Sequence, residues 1–473
     1  MENAIKQKPL TLWNKLGYGI GEFGECTGYN IFYFFFLLFL TDVVGLPPAI
    51  GGIISSIAVF WDAVTDLVLG QISDNFNSKH GRRRPLMIGV AIPYAICTYL
   101  MFNSFDLNMN AQIAYAVIIS ILFWTFYTIY TIPYFALGAE LTQVFEERTS
   151  LRVFAAIFLH AATIVAASTP PQIVQKSIDL GMSEERGWSN VGLVIGLVII
   201  VGIIVCWLST RGRELPAEKT HVDKKDRVNI FKTIGQIVLL KPTVPLAIAT
   251  FCGAFACTML SNGQVYVMIH KLGFNANYQS LFLLVIPAMA IALQPVLSGL
   301  SKKFDKRSIL MTGMGAAGIG MIIFFFVGLS GPATLLIWGV VFQLGNASVW
   351  TLYYAMMYDI SEVDEFKNGK RREGIITAVM AFFQKIGGSV AMWVTGMVLA
   401  WGAYDGTQET QSASAITSID YICTFIPAIV YIIGSIALIF YPLTGLRYKS
   451  LLVALEAKKA GKEYTNEGFE KLL

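Results

Sequence analysis

The chain has 473 residues, of which 55% are hydrophobic and only 14% are charged. Soluble globular domains carry about 25% charged residues, so this composition excludes an ordinary soluble protein. With 16 prolines, six cysteines and a formal net charge of +4, the chain also lacks the composition of a disordered protein, a disulfide scaffold or a nucleic-acid-binding protein. We therefore predict a polytopic membrane protein.

A membrane-spanning helix needs about 20 mainly apolar residues, and twelve segments of the sequence meet this requirement. They are too long and too continuous to be strands of an outer-membrane barrel. In chain order they are 17–40, 49–71, 86–103, 112–137, 153–172, 191–210, 245–270, 278–300, 309–329, 333–357, 375–400 and 419–441. The predicted fold is an all-α membrane protein with twelve transmembrane helices in two six-helix halves.

The longest polar segment separates the sixth predicted helix from the seventh and defines the domain organisation. We predict an N-terminal half at 1–210, a cytoplasmic central loop at 211–244, a C-terminal half at 245–443 and a cytoplasmic tail at 444–473. The lysines and arginines set the orientation, because cytoplasmic loops are enriched in them. One side holds only Lys176, Arg186 and Lys271. Both termini are therefore expected in the cytoplasm, with the protein in the inner membrane of a bacterial cell.

A short basic turn follows the second predicted helix of each half. The first comprises residues 70–74 running into 79–84, and the second comprises residues 299–307. Both turns place Gly and Asp before a cluster of Lys and Arg. This repeat resembles the signature loop of the major facilitator superfamily, in which the acid and the basic cluster pair across helix ends.

Charged residues inside a membrane span are costly and are functional hypotheses by default. Asp62 and Asp66 lie four residues apart in the second predicted helix, so both carboxylates share one face, with Thr65 beside them. This set of oxygen ligands predicts a Na⁺ site, or a carboxylate pair that binds a proton. The alternative is an acidic pair that is neutralised by Lys385 and holds the helices together.

Two further acids, Glu22 and Glu25, lie in a glycine-rich stretch of the first predicted helix. No strand precedes this stretch, so it is not a dinucleotide-binding motif. The glycines permit close helix packing or local unwinding at a cavity. Glu22 is equally interpretable as a packing acid near the helix end, and His160 as a hydrogen-bonded interior histidine or a proton carrier.

The fourth predicted helix combines aromatic and hydroxyl side chains. Tyr127, Thr128 and Thr131 share a face, and Pro133 loosens the helix below them. Aromatic rings stack on the CH faces of sugars, and hydroxyls bind sugar OH groups. Simple lipid-facing packing of the aromatic residues is the alternative.

These segments together resemble the glycoside–pentoside–hexuronide:cation symporter family, the relatives of melibiose permease in the major facilitator superfamily. The resemblance rests on WDAVTD (61–66), TIYTIPYFALGAELT (128–142) and YDISEVDEFKNGKRREG (358–374). It implies that the coupling cation, with Na⁺ at Asp62 and Asp66, is bound by Asp62, Thr65, Asp66 and Thr128. It also implies that the substrate is bound by Glu25, Cys26, Tyr127, Thr131, Phe135, Trp350 and Lys385.

The sequence departs from melibiose permease at three places. Glu25 and Cys26 replace a Lys-Asp pair, Thr131 replaces an acid, and Arg152 lies about one turn before the expected arginine. Melibiose itself is therefore not an expected substrate, and the choice between Na⁺ and H⁺ stays open.

Lys385 is the single Lys or Arg within the twelve predicted helices. A buried ammonium needs a counter-charge, and Asp62, Asp66 and Glu25 are the expected partners. Lys385 would then compete with the coupling cation for the carboxylates and bind substrate once the cation has displaced it. A static ion pair is the alternative.

The predicted function is import of a sugar or glycoside by symport with Na⁺ or H⁺ through alternating access. The alternatives are a carrier of another organic solute (a uronide, an organic anion or a lysolipid) and, from a different class, a membrane protein that does not transport. The sequence contains no HExxH, GxSxG or P-loop motif, so we do not expect an enzyme. The expected partners are a small-molecule substrate and the lipid bilayer. We expect no nucleic acid, no obligate protein partner and no cofactor besides the coupling cation.

Overall fold

The computed structural model describes residues 9–75, 83–142, 144–213, 230–369, 372–408 and 410–472. Within these ranges every regular element is a helix, which confirms the all-α class. Residues 79–82 of the first predicted basic turn and residues 214–229 of the predicted central loop lie outside the described residues.

Twelve long helical segments of the described chain coincide in order with the predicted spans, and we name them α1 to α12. They are α1 Leu12–Ile31, α2 Pro48–Asn75, α3 Arg84–Gly89 with Ala91–Met101, α4 Met109–Glu140, α5 Phe145–Asp179, α6 Glu184–Ser209, α7 Thr243–Lys271, α8 Ala276–Ser301, α9 Lys306–Val327, α10 Pro332–Asn368, α11 Glu373–Trp401 and α12 Ala413–Ile439. Helix α1 continues through two π-helical turns, Phe32–Phe36 and Phe39–Val43.

Within the described residues, ten helices are long and apolar enough to cross a membrane. The other two predicted spans correspond to α1 and α3. Helix α1 carries two acids, Glu22 and Glu25, among its glycines. Helix α3 is divided at Val90. Pro93 follows three residues later, and its ring clashes with the carbonyl four residues before it in a regular helix, that of Gly89.

The chain forms two compact units, which we call unit 1 and unit 2. Unit 1 comprises Met1–His221, Met268–Ala288 and Leu399–Ala415, and unit 2 comprises Val222–Val267, Met289–Val398 and Ile416–Leu473. Unit 1 thus contains α1 to α6, the end of α7 with the first half of α8, and the end of α11 with the first residues of α12. These units are defined by spatial contacts, so the predicted division of the sequence into two six-helix halves stays a prediction.

In unit 1, α1 packs against α5 and α6, and α2 packs against α4. The glycines of α1 explain how closely α1 approaches α6. A Cβ at Gly202 would lie 2.9 Å from the Cα of Gly24, so the two backbones touch. A Cβ at Gly21 would lie 2.8 Å from the Cβ of Cys206. Close helix packing, rather than unwinding, is therefore the role of these glycines, because residues 12–31 stay α-helical.

In unit 2, α7 packs against α12 and α10, and α9 packs against α10 and α12. Two shorter helices lie outside the predicted spans, at Ile230–Val238 and Gly445–Lys459. The second, in the tail, is attached to the end of α10, where Lys459 pairs with Glu365 at 2.7 Å and Lys458 donates to the carbonyl of Phe366.

The two predicted basic turns lead into similar interactions, one set in each unit. In unit 1, Arg83 pairs with Glu140 at the end of α4 at 3.2 Å, and Arg84 donates to the carbonyl of Trp207 near the end of α6. Arg83 and Arg84 therefore connect the start of α3 to the ends of α4 and α6.

In unit 2, Lys306 pairs with Asp359 of α10 at 2.8 Å. Arg307 donates to the carbonyls of Leu438 and Ile439 at the end of α12. Helices α10 and α12 are the fourth and sixth helices of the predicted C-terminal half, as α4 and α6 are of the predicted N-terminal half. The repeat in the sequence is thus a repeat of interactions.

Candidate functional site

The predicted cation-binding residues of α2 and α4 lie together in unit 1. Asp62 is fully buried, and the hydroxyl of Thr128 donates to its Oδ1 at 2.9 Å. The Oγ1 atoms of Thr65 and Thr128 are 3.2 Å apart. Because a hydroxyl donates one hydrogen bond and accepts others, Thr128 donates to Asp62 and can accept from Thr65. Three of the four predicted cation ligands thus form one hydrogen-bonded group.

Asp66, the fourth predicted ligand, lies one turn along α2 from Asp62 and is half-buried. Residues four apart share a helix face, so the second carboxylate is on the side of α2 that carries Asp62. Oxygen atoms of carboxylates and hydroxyls are the ligands that hard cations prefer. The donor set of Asp62, Thr65, Asp66 and Thr128 therefore has the chemistry to bind Na⁺, and either carboxylate can instead accept a proton.

The predicted substrate residues of α1 and α4 include a second buried pair in unit 1. The hydroxyl of Tyr127 donates to Oε1 of Glu25 at 2.5 Å, and both side chains are buried. Cys26 is buried next to Glu25, and its carbonyl accepts from Asn30, one turn later, at 2.7 Å. Asn30 also donates to the hydroxyl of Thr163 on α5 at 3.2 Å. A carboxylate, a phenol, an amide and a hydroxyl thus lie along neighbouring helices.

An aromatic cluster borders this pair. The ring of Tyr29 lies 5.8 Å from that of Tyr127 and 5.7 Å from that of Trp124, and the ring of Tyr33 lies 4.6 Å from that of Tyr29. Aromatic side chains next to buried polar groups suit a ligand with both CH faces and hydroxyls. The aromatic residues of α4 therefore pack inside unit 1, where Trp124 is fully buried, and not mainly against lipid.

The other predicted substrate residues of α4 lie differently. The Thr131 hydroxyl is buried and donates to the carbonyl of Tyr127 in its own helix at 3.1 Å. Phe135 is 39% exposed, and the guanidinium of Arg152 lies 5.6 Å from the centre of its ring. These contacts are with neighbouring parts of α4 and α5, and they join neither Thr131 nor Phe135 to the Glu25–Tyr127 pair.

The remaining acid of α1, Glu22, is buried one turn before Glu25. Its Oε2 has no hydrogen-bond partner within the described part of the chain. The rings of Tyr18 and Tyr134 stack nearby at 4.4 Å. His160 is half-buried on α5, and both of its predicted interpretations stay open.

Trp350 on α10 and Lys385 on α11 belong to unit 2, and both are half-buried. The carboxylates predicted to neutralise Lys385 belong to unit 1. The predicted pairing of Lys385, and the predicted substrate contact of Trp350, therefore stay predictions.

Tyr94 on α3 is a residue that the sequence did not indicate. It is fully buried, and its ring lies 6.2 Å from that of Tyr127. Its hydroxyl occupies the space beside Gly28, where a Cβ would lie 2.3 Å from it. Because α3 is apolar on every side, the sequence gives no periodic signal that distinguishes this tyrosine from packing residues. The absence of a side chain at Gly28 leaves the space that the tyrosine fills.

A profile of the family described as MFS/sugar transport protein matches residues 17–445. The chain belongs to this family. Among its relatives, the uncharacterized symporter YnaJ of Bacillus subtilis is 26% identical over 95% of this chain and 96% of its own. The inner membrane symporter YicJ of Escherichia coli is 25% identical over 96% and 97%. The isoprimeverose transporter of Lactiplantibacillus pentosus is 26% identical over 97% and 94%.

Solved structures agree with this assignment at the level of the fold. A structure of a proton-dependent oligopeptide transporter matches with a TM-score of 0.64, at 15% identity, over 93% of this chain and 99% of its own. A bacterial homologue of the human lysosomal transporter Spinster, in an inward-facing and unoccupied conformation, matches with a TM-score of 0.63, at 15% identity, over 91% and 95%. The chain is therefore an integral membrane transporter with the major facilitator fold, and the resemblance to the melibiose permease relatives is confirmed.

Proposed function

We propose that this chain imports a neutral sugar or glycoside by symport with Na⁺ or H⁺. The observation that carries the proposal is the buried group formed by Asp62, Thr128 and Thr65, in a chain whose family is defined by sugar transport. A carboxylate buried in a membrane helix is costly because it loses its hydration, and such residues usually mark functional sites. Reversible binding of a coupling cation is such a function.

The geometry permits both coupling ions. A Na⁺ ion would be held by the carboxylate of Asp62, the hydroxyl oxygens of Thr65 and Thr128, and Asp66 one turn away. A proton would be held on a carboxylate alone, and Thr128 would then stay its hydrogen-bond partner. These two modes differ in what Thr65 contributes, because only Na⁺ needs its oxygen as a ligand.

The polarity around Glu25 favours a neutral substrate over an anionic one. Glu25 and Glu22 lie one turn apart on α1, and the carboxylate of a uronide or organic anion bound there would lie against two carboxyl groups. Sugar hydroxyls, in contrast, can donate to Glu25 and accept from Tyr127 and Asn30. The isoprimeverose transporter, a relative over nearly its whole length, supports a sugar. Another relative, the glucuronide carrier protein homolog of Escherichia coli, is 22% identical. A glucuronide is therefore included among the substrates tested below.

The direction of transport and the location follow from the charge distribution. The basic residues of the predicted loops support a cytoplasmic position for both termini, and symport down an inward cation gradient would then import the substrate. Bacterial symporters among the relatives support the inner membrane as the location.

The experiment is uptake by the purified full-length chain in proteoliposomes. Radiolabelled pentosides, hexosides, disaccharides and a glucuronide are offered under an inward Na⁺ gradient, an inward pH gradient, or neither. We expect one of the neutral glycosides to accumulate with one of the two gradients. Accumulation of the glucuronide alone, or equal uptake with and without both gradients, would contradict the proposal.

A further inference from the structure

Three ionisable side chains far apart in the sequence meet at one end of unit 1. His270 Nε2 lies 2.8 Å from Oδ2 of Asp42 and 2.7 Å from the hydroxyl of Tyr404. The Tyr404 hydroxyl lies 2.7 Å and 2.8 Å from the two carboxylate oxygens of Asp42. We call Asp42, His270 and Tyr404 the triad. None of its members belongs to the predicted cation or substrate site.

The triad joins three segments of the fold. Asp42 lies in the last π-helical turn of α1, His270 in the π-helical last turn of α7, and Tyr404 in the segment after α11. These helices are all odd-numbered, so an alternating topology places their carboxyl ends on the face opposite to the N-terminus. π-helical turns occur frequently at functional sites, and here two of them present the interacting side chains.

A glycine at position 406 allows the segment after α11 to approach the end of α1 closely. A Cβ at Gly406 would lie 2.5 Å from the carbonyl oxygen of Thr41 and 2.7 Å from the Cα of Asp42. The segment after α11 therefore lies directly on the end of α1, and a larger residue at 406 would push it away. The Thr41 hydroxyl also lies 2.6 Å from Oδ1 of Asp42 and 3.2 Å from the carbonyl oxygens of Leu37 and Leu38.

From this arrangement we propose that the triad is a proton-binding site that holds this face of the transporter closed. In alternating access, helix ends on each face must separate before a ligand enters from that face. Separation of the end of α1 from the ends of α7 and α11 would break the contacts of Asp42 with His270 and Tyr404. The stability of the closed contact thus depends on the charge of His270.

The sign of the pH effect follows from the charges. Histidine changes its charge between pH 5 and 8. A protonated His270 is a charged donor to the carboxylate of Asp42, and charge-assisted hydrogen bonds are roughly twice as strong as neutral ones. Protonation therefore strengthens the closed contact, and the face opens more readily as the pH rises through this window.

Other charged groups near this end leave that sign unchanged. Lys271, a basic residue, follows His270 in the chain. Asp405 accepts hydrogen bonds from the side chain and backbone of Thr407, which lower the pKa of Asp405, so Asp405 keeps its charge in this window. The charged residues at the start of α6, at 184–186, are exposed, and water screens them from His270.

The test uses thiol labelling, which needs no substrate and so can fail or succeed independently of the proposed function. All six native cysteines are buried and free in the described chain. Thr41 is 1% exposed beneath Gly406, so Thr41→Cys reports on separation of the two segments. The full-length chain in detergent is labelled with a maleimide at pH 5.5 and pH 8. The exposed Ser414→Cys, measured in parallel, corrects for the intrinsic pH dependence of the reagent.

We expect Thr41→Cys, after this correction, to react about fivefold faster at pH 8, in line with a charge-assisted bond exceeding a neutral one by about 1 kcal/mol. His270→Gln, added to Thr41→Cys, should make the rate independent of pH. His160→Gln is the matched control and should leave the pH effect intact. Equal rates at both pH values in Thr41→Cys, or a pH effect that persists with His270→Gln, would overturn the proposal. If Thr41→Cys does not fold, Leu40→Cys, buried one residue earlier in the same π-helical turn, is labelled in its place.

Discussion

The hydroxyl of Thr128 on α4 donates a hydrogen bond to the buried carboxylate of Asp62 on α2 at 2.9 Å. Sixty-six positions separate these residues in the sequence, and the packing of α2 against α4 brings them together. The contact couples the acid that would bind a cation to the helix that carries Tyr127. A cation bound at Asp62 would therefore act on α4, which carries the predicted substrate residues Tyr127 and Thr131.

Thr128→Val should weaken cation binding without unfolding the protein. Valine has nearly the same shape but lacks the hydroxyl, so Asp62 loses a donor and a cation loses an oxygen ligand. A hydrogen bond to a charged group contributes about 1.5–3 kcal/mol, so the cation concentration at half-maximal uptake should rise about tenfold or more. Thr169→Val is the control, because the Thr169 hydroxyl bonds only within its own helix. An unchanged cation requirement in Thr128→Val would remove this residue from the site.

Tyr127→Phe should affect the substrate more than the cation. The substitution removes the hydroxyl that donates to Glu25 and keeps the ring within the aromatic cluster. We expect KM for the sugar to rise about tenfold, in line with roughly 1.5 kcal/mol for a bond to a charged group, with a change of less than threefold in the cation requirement. Tyr130→Phe, which removes a hydroxyl bonded to the carbonyl of Gly21, is the matched control. Equal KM values for Tyr127→Phe and the native chain would assign Tyr127 to packing alone.

The sequence predicted the helices and part of the candidate site, and there are physical reasons why it did not predict the rest. Hydrophobic length alone predicted the order of the twelve helical segments, because the bilayer demands a fixed span. It did not predict how far α5 and α10 extend beyond their apolar parts, to Phe145–Asp179 and to Asn368. The spacing of Asp62 and Asp66 predicted their shared face, because helix geometry fixes it. Spacing along the chain could not predict contacts between helices, and Thr128 was grouped with Asp62 only through the family resemblance. The predicted end of the first span at residue 40 also placed Asp42 among loop residues, and His270 carried no partner at metal spacing. Tyr404 lies 362 positions after Asp42, and only the fold brings it into contact with Asp42 and His270.

Gly202→Leu should destabilise the protein by separating α1 from α6. A Cβ at Gly202 would lie 2.9 Å from Gly24 and 3.0 Å from the carbonyl of Ile20, and both neighbours are backbone atoms that cannot rotate away. Overpacking of this kind typically costs about 1–3 kcal/mol, so the midpoint of thermal unfolding in detergent should fall by several degrees. At Gly299 on α8 a Cβ would meet nothing within 4 Å. Gly299→Ala should therefore be neutral or stabilising by up to about 1 kcal/mol, and a similar loss in both variants would contradict this reading of the glycines.

Arg83 and Glu140 should show a measurable coupling energy. Their side chains are 6% and 18% exposed and pair at 3.2 Å between the start of α3 and the end of α4. In a double-mutant cycle with Arg83→Gln and Glu140→Gln, contacting charged residues typically couple by about 0.5–3 kcal/mol. Thermal unfolding in detergent of the native chain, the two single variants and the double variant measures this coupling energy. Strict additivity of the two single changes would show that the pair contributes nothing to the stability of unit 1.

The most direct measurement of the central claim compares Asp62→Asn with the native chain in two assays on the same proteoliposomes. One assay measures accumulation of the transported sugar under an inward cation gradient, and the other measures exchange of sugar at equal concentrations on both sides. Asp106→Asn, a change at an exposed loop acid, is the control. We predict that Asp62→Asn loses gradient-driven accumulation, keeps exchange within about threefold and leaves expression unchanged, because a neutral amide cannot bind the coupling cation but leaves the fold intact. Full accumulation in Asp62→Asn would contradict the account.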